Sequence, residues 1–271
     1  MNAALLLTLR EMRDASRNRS LIAAAAAFAL LCAALTFSGT AGSGSGFGPA
    51  AAGLINVELI AIPLFALVLG AMQLSRDRER GTYGYFRALP VTALDIYCSK
   101  VTAVFVQVTA IVCAGFAGAF AAMALAGVGG ADVWGIVQFA LLTWVLGIAC
   151  GAIGLLISVC APRSPSALGS AVAVWLTMVI FGDLGLMATS LATRMSLGML
   201  VFFTAINPVE AYKIAAVAAL SGSIDVLGPG GRLTADLLGS AIMPAMVAVL
   251  VAWSVAALGA GYFILGRRAD A

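Results

Sequence analysis

The sequence contains no histidine, and it is poor in charge, since Asp, Glu, Lys and Arg together make up 10% of its 271 residues. Without histidine the chain lacks the commonest general base, proton shuttle and metal ligand. An ordinary soluble chain is about 25% charged and about 45–50% apolar, whereas this one is 62% hydrophobic. The composition excludes a soluble globular protein and predicts an α-helical integral membrane protein.

Motifs of catalysis and metal binding are missing as well. No G-x-x-x-x-G-K-[ST] segment occurs, so the chain cannot hold nucleotide phosphates as a P-loop does. Gly228-Pro229-Gly230-Gly231 predicts a tight turn instead. No C-x-x-C pair occurs among the five cysteines, which we interpret as small buried hydrophobic side chains: Cys32, Cys98, Cys113, Cys150 and Cys160. We therefore expect no catalytic residue and no metal site.

Two methionine pairs have helical spacing. Met195 and Met199 are four residues apart, and Met243 and Met246 are three apart. Thioethers suit Cu(I), but methionine at this spacing more often fills gaps between helices. We interpret the pairs as packing, with copper ligation as the alternative.

Six apolar segments are long enough to cross the hydrocarbon core, which takes about 20 residues of helix. They cover about residues 21–37, 54–74, 101–126, 133–160, 166–191 and 241–265. Before them, Leu5 to Arg19 predicts an amphipathic helix in the membrane interface. We expect the first span to be retained rather than cleaved as a signal, because about twenty residues that include Glu11 and Asp14 precede it.

The rest of the chain completes a single transmembrane domain over residues 1–271. Outside the spans we expect an interfacial helix at 1–20, a polar loop at 75–100 and a polar outer segment at 192–240. Pro244 is expected to loosen or kink the first turns of the last span.

Basic residues are divided unequally between the two sides of the predicted spans. One side holds twelve: Arg10, Arg13, Arg17, Arg19, Arg76, Arg78, Arg80, Arg87, Lys100, Arg163, Arg267 and Arg268. The other holds three: Arg194, Lys213 and Arg232. Short cytoplasmic loops retain Lys and Arg, so we expect both termini in the cytoplasm.

The polar loop at 75–100 begins with five consecutive charged residues at positions 76–80. Tyr83, Phe86 and Leu89 then recur on one helical face, and Pro90 ends that turn. Such a short amphipathic helix either lies on lipid headgroups, with its arginines on phosphate, or docks on a partner protein.

Two carboxylates lie within predicted spans: Glu58 near the outer end of the second, and Asp183 in the outer half of the fifth. Ionised groups inside a bilayer are costly and normally face a partner or a wet cavity. Two interpretations stay open, an ion pair with a residue such as Arg194 or a role in a translocation or gating path.

Asn207 begins a predicted helix in the outer segment. Asparagine is a favoured N-cap, Pro208 suits the first helical position, and Glu210 can close a capping box. The helix is expected to run to about Leu220. We interpret this motif mainly as the structural start of a helix, and the helix could also form the surface on which a partner protein binds.

Three segments together resemble a family signature. Glu79-Arg80-Gly81-Thr82, Leu89-Pro90-Val91-Thr92 and Ser99-Lys100 are similar to the E-x-G-T…L-P-x-[ST]…G-K pattern after the second span of ABC-2-type permeases, although Ser99 replaces the usual glycine. The interfacial helix and the six spans are similar to that family too. The resemblance implies an all-α, type V exporter-like permease fold in the bacterial cytoplasmic (inner) membrane.

The resemblance also implies partners. In that family the loop after the second span is a coupling helix seated on a separate ATPase subunit, which carries ATP and Mg²⁺, while this chain binds no cofactor. A permease homodimer with two ATPase copies is implied, with membrane lipid around it and no nucleic acid. The implied coupling residues are Asp77, Arg78, Glu79, Arg80, Gly81, Thr82, Tyr83, Phe86, Arg87, Pro162 and Arg163.

The outer segment resembles one branch of the family more closely. Residues 207–213, Asn-Pro-Val-Glu-Ala-Tyr-Lys, are similar to the N-P-x-[DE]-x-[YF]-[RK] motif of the NosY-type permeases, which serve nitrous oxide reductase maturation. Trp175, residues 181–184 and residues 227–229 are also similar to that branch. The resemblance implies that a periplasmic β-helical NosD-type protein sits on a platform and helps to deliver copper or sulfur. The implied platform residues are Asn207, Pro208, Glu210, Tyr212 and Lys213.

Two other functions stay open. One is a conventional ABC-2 exporter of a lipid, a drug or a haem-like molecule. The other is an ATPase-independent channel or secondary transporter, which the lack of an inverted repeat disfavours.

Overall fold

The computed structural model describes residues 3–41, 48–82, 92–127, 133–191, 206–221 and 242–269, and not every side chain within them. In these ranges the chain forms helices and short turns, without a strand. The helices are α1 (Ala3–Ser16), α2 (Arg19–Ala41), α3 (Gly48–Glu79), α4 (Ala93–Leu125), α5 (Val133–Cys160), α6 (Ser164–Leu191), α7 (Pro208–Ser221) and α8 (Ile242–Ala269).

Six helices of the described part are long and apolar enough to cross a membrane: α2, α3, α4, α5, α6 and α8. This confirms the predicted all-helical membrane protein with six spans. The helix α1 is separate from the first span, as expected, and packs on α4. The short helix α7 lies against α8, α5 and α3.

The helix α5 lies at the centre of the bundle and packs most closely on α3. Glycines make that approach possible, because a Cβ on Gly70 would collide with the backbone carbonyl of Gly151. A Cβ on Gly154 would likewise collide with the carbonyl of Leu67. Without a hydrophobic driving force between helices in lipid, such small residues let backbones touch and gain dispersion energy. On another face of α5, a Cβ on Gly147 or Gly151 would lie 2.6 Å from Val108 or Val104 of α4, respectively.

The third span begins at Ala93, eight residues before the predicted start at Val101. A capping box explains the difference, since the Thr92 hydroxyl accepts from the Asp95 amide at 3.2 Å and the Asp95 carboxylate accepts from the Thr92 amide at 2.9 Å. At the other end of the predicted loop, α3 continues to Glu79. The predicted loop at 75–100 is therefore helical at both ends, and residues 83–91 lie outside the described residues.

One smaller expectation stays a prediction and another changes. Pro244 is the third residue of the described part of α8, and the residues before Ile242 lie outside the described residues, so the expected loosening of the first turns stays a prediction. Cys32 and Cys150 are buried, but the other three cysteines are exposed: Cys98, Cys113 and Cys160. Our interpretation of all five as buried was wrong, because these three point away from the bundle, where a thiol tolerates an apolar surface as well as a core does.

Candidate coupling sites at the two ends of the bundle

A buried lysine joins three helices at the charged end of the bundle. Lys100 of α4 is only 3% exposed, and its Nζ contacts Glu11 Oε1 of α1 at 2.7 Å and the Asp77 carboxylate of α3. The ammonium offsets one of the two negative charges of the carboxylates, and burial makes an unpaired charge costly. The ion triad fixes α1 and the end of α3 to the start of α4.

Arg78 holds the end of α3 to the end of α5. Its Nη1 donates to the carbonyl oxygens of Ser158, Val159 and Ala161 at 3.0–3.1 Å. The last carbonyls of a helix lack intrahelical donors and carry partial negative charge, so a guanidinium is a suitable cap. The Ser158 hydroxyl strengthens the junction by accepting from the amides of Leu74 and Ser75 at 2.7 and 3.0 Å.

The predicted coupling residues divide into two groups here. Asp77 and Arg78 are half-buried in the contacts just described, whereas five others are exposed: Glu79, Arg80, Gly81, Pro162 and Arg163. Gly81 ends α3 with a φ of +72°, a left-handed conformation that glycine adopts without strain. Thr82 is partly buried. Tyr83, Phe86 and Arg87 lie outside the described residues.

Glu58 lies at the centre of a hydrogen-bonded cluster at the opposite end. It is 1% exposed, and its Oε2 accepts from Thr143 Oγ1 at 2.6 Å and from the Tyr212 hydroxyl at 2.7 Å. The two hydroxyls are 3.0 Å apart. Glu58 belongs to α3, Thr143 to α5 and Tyr212 to α7, so one carboxylate joins two spans to the short helix α7.

The start of α7 rests on α6. Asn207 caps α7, since its Oδ1 accepts from the Val209 amide at 3.0 Å, and its Nδ2 donates to the Met178 carbonyl at 2.7 Å. A Cβ on Gly182 would lie 2.5 Å from Glu210 Oε1. The predicted N-cap is therefore present. The absence of a side chain at Gly182 leaves room for the Glu210 carboxylate in the first turn of α7.

Several predicted residues have other outcomes. The side chain of Asp183 and the whole of Arg194, Met195 and Met199 lie outside the described residues. Met246 is buried and Met243 packs beside it in the core. Lys213 is partly buried. In the part of the chain that the structure describes, no three His, Cys, Asp or Glu side chains are grouped as metal ligands.

Sequence reasoning missed Thr143, Glu11 and Lys100 as site residues. Thr143 is one hydroxyl within an apolar span and gives no signal by itself. Lys100 did give a signal in the sequence, because a lysine directly before an apolar run lies at the edge of the bilayer, where it needs a partner. Its family motif was recognised, but its two partners are 23 and 89 residues away and could not be paired from spacing.

These contacts make α3 and α5 one mechanical unit. They are joined by Arg78 at one end, by glycine contacts in the middle and by Glu58 and Thr143 at the other end. Glu58 and Asp77 are 19 residues apart on α3, about 28 Å at 1.5 Å per helical residue. The helix α3 thus carries contacts at both ends of the bundle, with Pro63 between them.

Comparison with known proteins agrees with this architecture. The model of the family described as "ABC-2 family transporter protein" matches residues 5–269. A protein of Stutzerimonas stutzeri named "Probable ABC transporter permease protein NosY" is 29% identical over 279 aligned positions, covering 99% of each chain. A protein of the same name from Pseudomonas aeruginosa is 29% identical over 270 positions, covering 96% of each.

Proposed function

The chain belongs to the ABC-2 family of transporter proteins, and on that premise we propose that it carries ATP-driven motion across the membrane to a maturation step on the other side. As an ABC transporter permease it is the membrane subunit, and ATP hydrolysis is carried out by a separate subunit. The step we propose is copper-site assembly of nitrous oxide reductase, through delivery of copper or sulfur. The two NosY relatives and the NosY-like motif at 207–213 support this assignment.

The ATPase in our proposal docks at the charged end, which faces the cytoplasm together with both termini. The exposed residues there, Glu79 to Gly81 with Pro162 and Arg163, form the contact, and Thr82, Tyr83, Phe86 and Arg87 complete it. Asp77 and Arg78 act behind this surface, because their side chains are engaged with Lys100 and with the end of α5. A push on the surface is thereby passed directly to α3 and α5.

The observation that carries the proposal is the Tyr212–Glu58 hydrogen bond. Tyr212 belongs to the NosY-like motif, and Glu58 lies on the helix that ends in the proposed ATPase contact. Movement of α3 therefore displaces α7 and the outer platform, where we place a β-helical NosD-type protein. Asn207, Pro208 and Glu210 position that platform on α6, and Lys213 belongs to it.

The permease acts as a homodimer with two ATPase copies in this proposal. All six spans carry large exposed apolar side chains, among them Leu30, Phe181 and Phe263 on α2, α6 and α8. Each of these faces requires either lipid or a second copy. No ligand or metal is assigned to this chain, and ATP with Mg²⁺ belongs to the partner subunit.

The experiment uses cells that make nitrous oxide reductase and lack this permease. The reductase is purified and its copper content measured after complementation with the wild-type chain or with Glu58→Leu. We expect copper-poor reductase without the chain, full loading with the wild type and poor loading with the variant. Fully loaded reductase in the absence of the chain would contradict the proposal.

Purification of the tagged chain from its native membrane identifies the assembly. An ATPase together with a periplasmic β-helical protein is the expected result. An ATPase alone would indicate a conventional exporter, and neither partner would indicate an ATPase-independent transporter. Both of these outcomes contradict the proposed maturation role.

A further inference from the structure

A cavity of about 610 Å³ opens at the charged end of the bundle. It lies between the turn that joins α1 to α2, the last turns of α3, the start of α4 and Leu168 of α6. Small-molecule sites typically have volumes of about 300–1,000 Å³. The cavity is thus large enough for a headgroup and the first part of an acyl chain, and the coupling contacts described above do not fill it.

Its mouth is strongly basic. The lining contains five cations, Arg17, Arg19, Arg76, Arg80 and Lys100, and two carboxylates, Glu11 and Asp14. Both carboxylates have partners, since Glu11 contacts Lys100 at 2.7 Å and Asp14 contacts Arg10 at 3.7 Å. Within the ranges that the structure describes, the four arginines of the lining make no ion pair, so they are available to an anion.

Its inner wall is apolar and ends in an amide pair. Val68, Leu69 and Met72 line one side. Deeper in the spans, Gln73 Nε2 donates to Gln107 Oε1 at 2.8 Å. Gln107 is seven residues from Lys100 along α4, about 10 Å at 1.5 Å per residue. The cavity therefore changes from cationic to apolar along its depth. This order is complementary to an amphiphile that has an anionic headgroup and an apolar chain.

We propose that this cavity binds the phosphate headgroup of an anionic membrane lipid. Arginine donates paired, charge-assisted hydrogen bonds to phosphate oxygens, and basic pockets between spans at the cytoplasmic side are a known form of lipid headgroup site. The apolar wall accepts the glycerol and the first methylenes. A bound headgroup would tie α1 and α2 to α3 at the point where Asp77 and Arg78 engage their neighbours.

The test uses the full permease purified with its ATPase subunit in detergent. Native mass spectrometry measures retention of phosphatidylglycerol and of phosphatidylcholine, a zwitterionic control. We expect phosphatidylglycerol to bind at least about tenfold more tightly, because the choline cation of phosphatidylcholine offsets its phosphate, whereas phosphatidylglycerol presents a net negative charge to the arginines. Arg19→Gln with Arg76→Gln should lose about tenfold or more of that affinity. The control pair Arg13→Gln with Arg267→Gln removes equal charge at the same end, at two exposed residues that do not line the cavity, and should retain the affinity.

A second variant guards against a folding defect. Arg19 is the first residue of α2, where an acidic side chain is favourable to the helix dipole, so Arg19→Glu should fold and still repel the headgroup. A separate arm offers inorganic phosphate without lipid. One outcome is that phosphate binds and depends on Arg19 and Arg76, while phosphatidylglycerol is not preferred over phosphatidylcholine. That outcome would overturn the lipid as the ligand and would show a site for a free anion instead. Equal phosphatidylglycerol binding by the double variant, or no anion binding, would overturn the proposal.

Discussion

The hydroxyl of Tyr212 donates to the carboxylate of Glu58 across 154 positions of the sequence, at 2.7 Å and out of contact with solvent. This bond connects the short helix α7 to the span α3, whose other end carries the proposed ATPase contact. The Phe139 ring stacks on the Tyr212 ring with centroids 6.4 Å apart. The phenol ring is therefore held by packing, and its hydroxyl makes the specific connection.

Tyr212→Phe tests the connection with the smallest possible change. The ring and its packing remain, while Glu58 loses one of two donors, and the net contribution of one such hydrogen bond is about 0.5–1.5 kcal/mol. We expect a lower thermal unfolding midpoint in detergent and poorer loading of the reductase with copper. Tyr262→Phe is the matched control, because Tyr262 is exposed on α8, and it should match the wild type. Equal behaviour of the two variants would refute a coupling role for Tyr212.

Glu58 itself is tested by comparing two substitutions. Glu58→Gln keeps an acceptor oxygen for Thr143 and Tyr212, so we expect it to assemble and function close to the wild type. Glu58→Leu removes the acceptor, so the Tyr212 hydroxyl keeps only Thr143 Oγ1 at 3.0 Å and the Thr143 hydroxyl keeps the Phe139 carbonyl at 2.9 Å; we expect a loss of about 1–3 kcal/mol in all. Yield, unfolding midpoint and reductase loading are measured for both. Normal assembly of Glu58→Gln with complete loss of function would favour a translocation or gating role for the carboxylate instead.

The sequence predicted the spans well because the physical signal is strong. A bilayer requires about 20 apolar residues for each helix, and Val133 to Cys160 was located to the residue. The start of α4 was missed because the Thr92–Asp95 capping box lies in polar sequence, where hydropathy carries no information. Asn207 was recognised as an N-cap because that signal is local.

The two coupling sites could be predicted only in part. Glu58 was conspicuous as a carboxylate in an apolar span, and Tyr212 was known only as a motif residue. Nothing in the sequence indicated that they meet, because their pairing depends on how α7 packs on α3. Asp77 and Arg78 appeared as part of an exposed loop, and they proved to be anchors because α3 continues past the apolar region and brings them to Lys100 and α5.

Lys100→Met tests the ion triad at the charged end. Methionine preserves much of the volume, but it leaves Glu11 and Asp77 partly buried without their cation. Removing one partner of a buried ion pair costs about 3–5 kcal/mol, so we expect low yield and a lowered unfolding midpoint. Adding Glu11→Gln and Asp77→Asn should restore much of the loss. An unaltered midpoint for Lys100→Met alone would show that the triad does not stabilise the bundle.

Gly154→Ala tests the close packing of α3 on α5. The added methyl group would collide with the Leu67 backbone carbonyl and lie 3.0 Å from the Leu67 Cα, and a backbone cannot rotate away as a side chain can. We expect a loss of about 1–3 kcal/mol, the usual cost of overpacking, seen as a lowered unfolding midpoint and reduced reductase loading. Gly169→Ala on α6 is the matched control, because nothing lies within 4 Å of its added Cβ and alanine favours a helix by roughly 0.5–1 kcal/mol. If Gly154→Ala is as stable as Gly169→Ala, then the two helices are not locked together, and motion would have to reach α7 by another route.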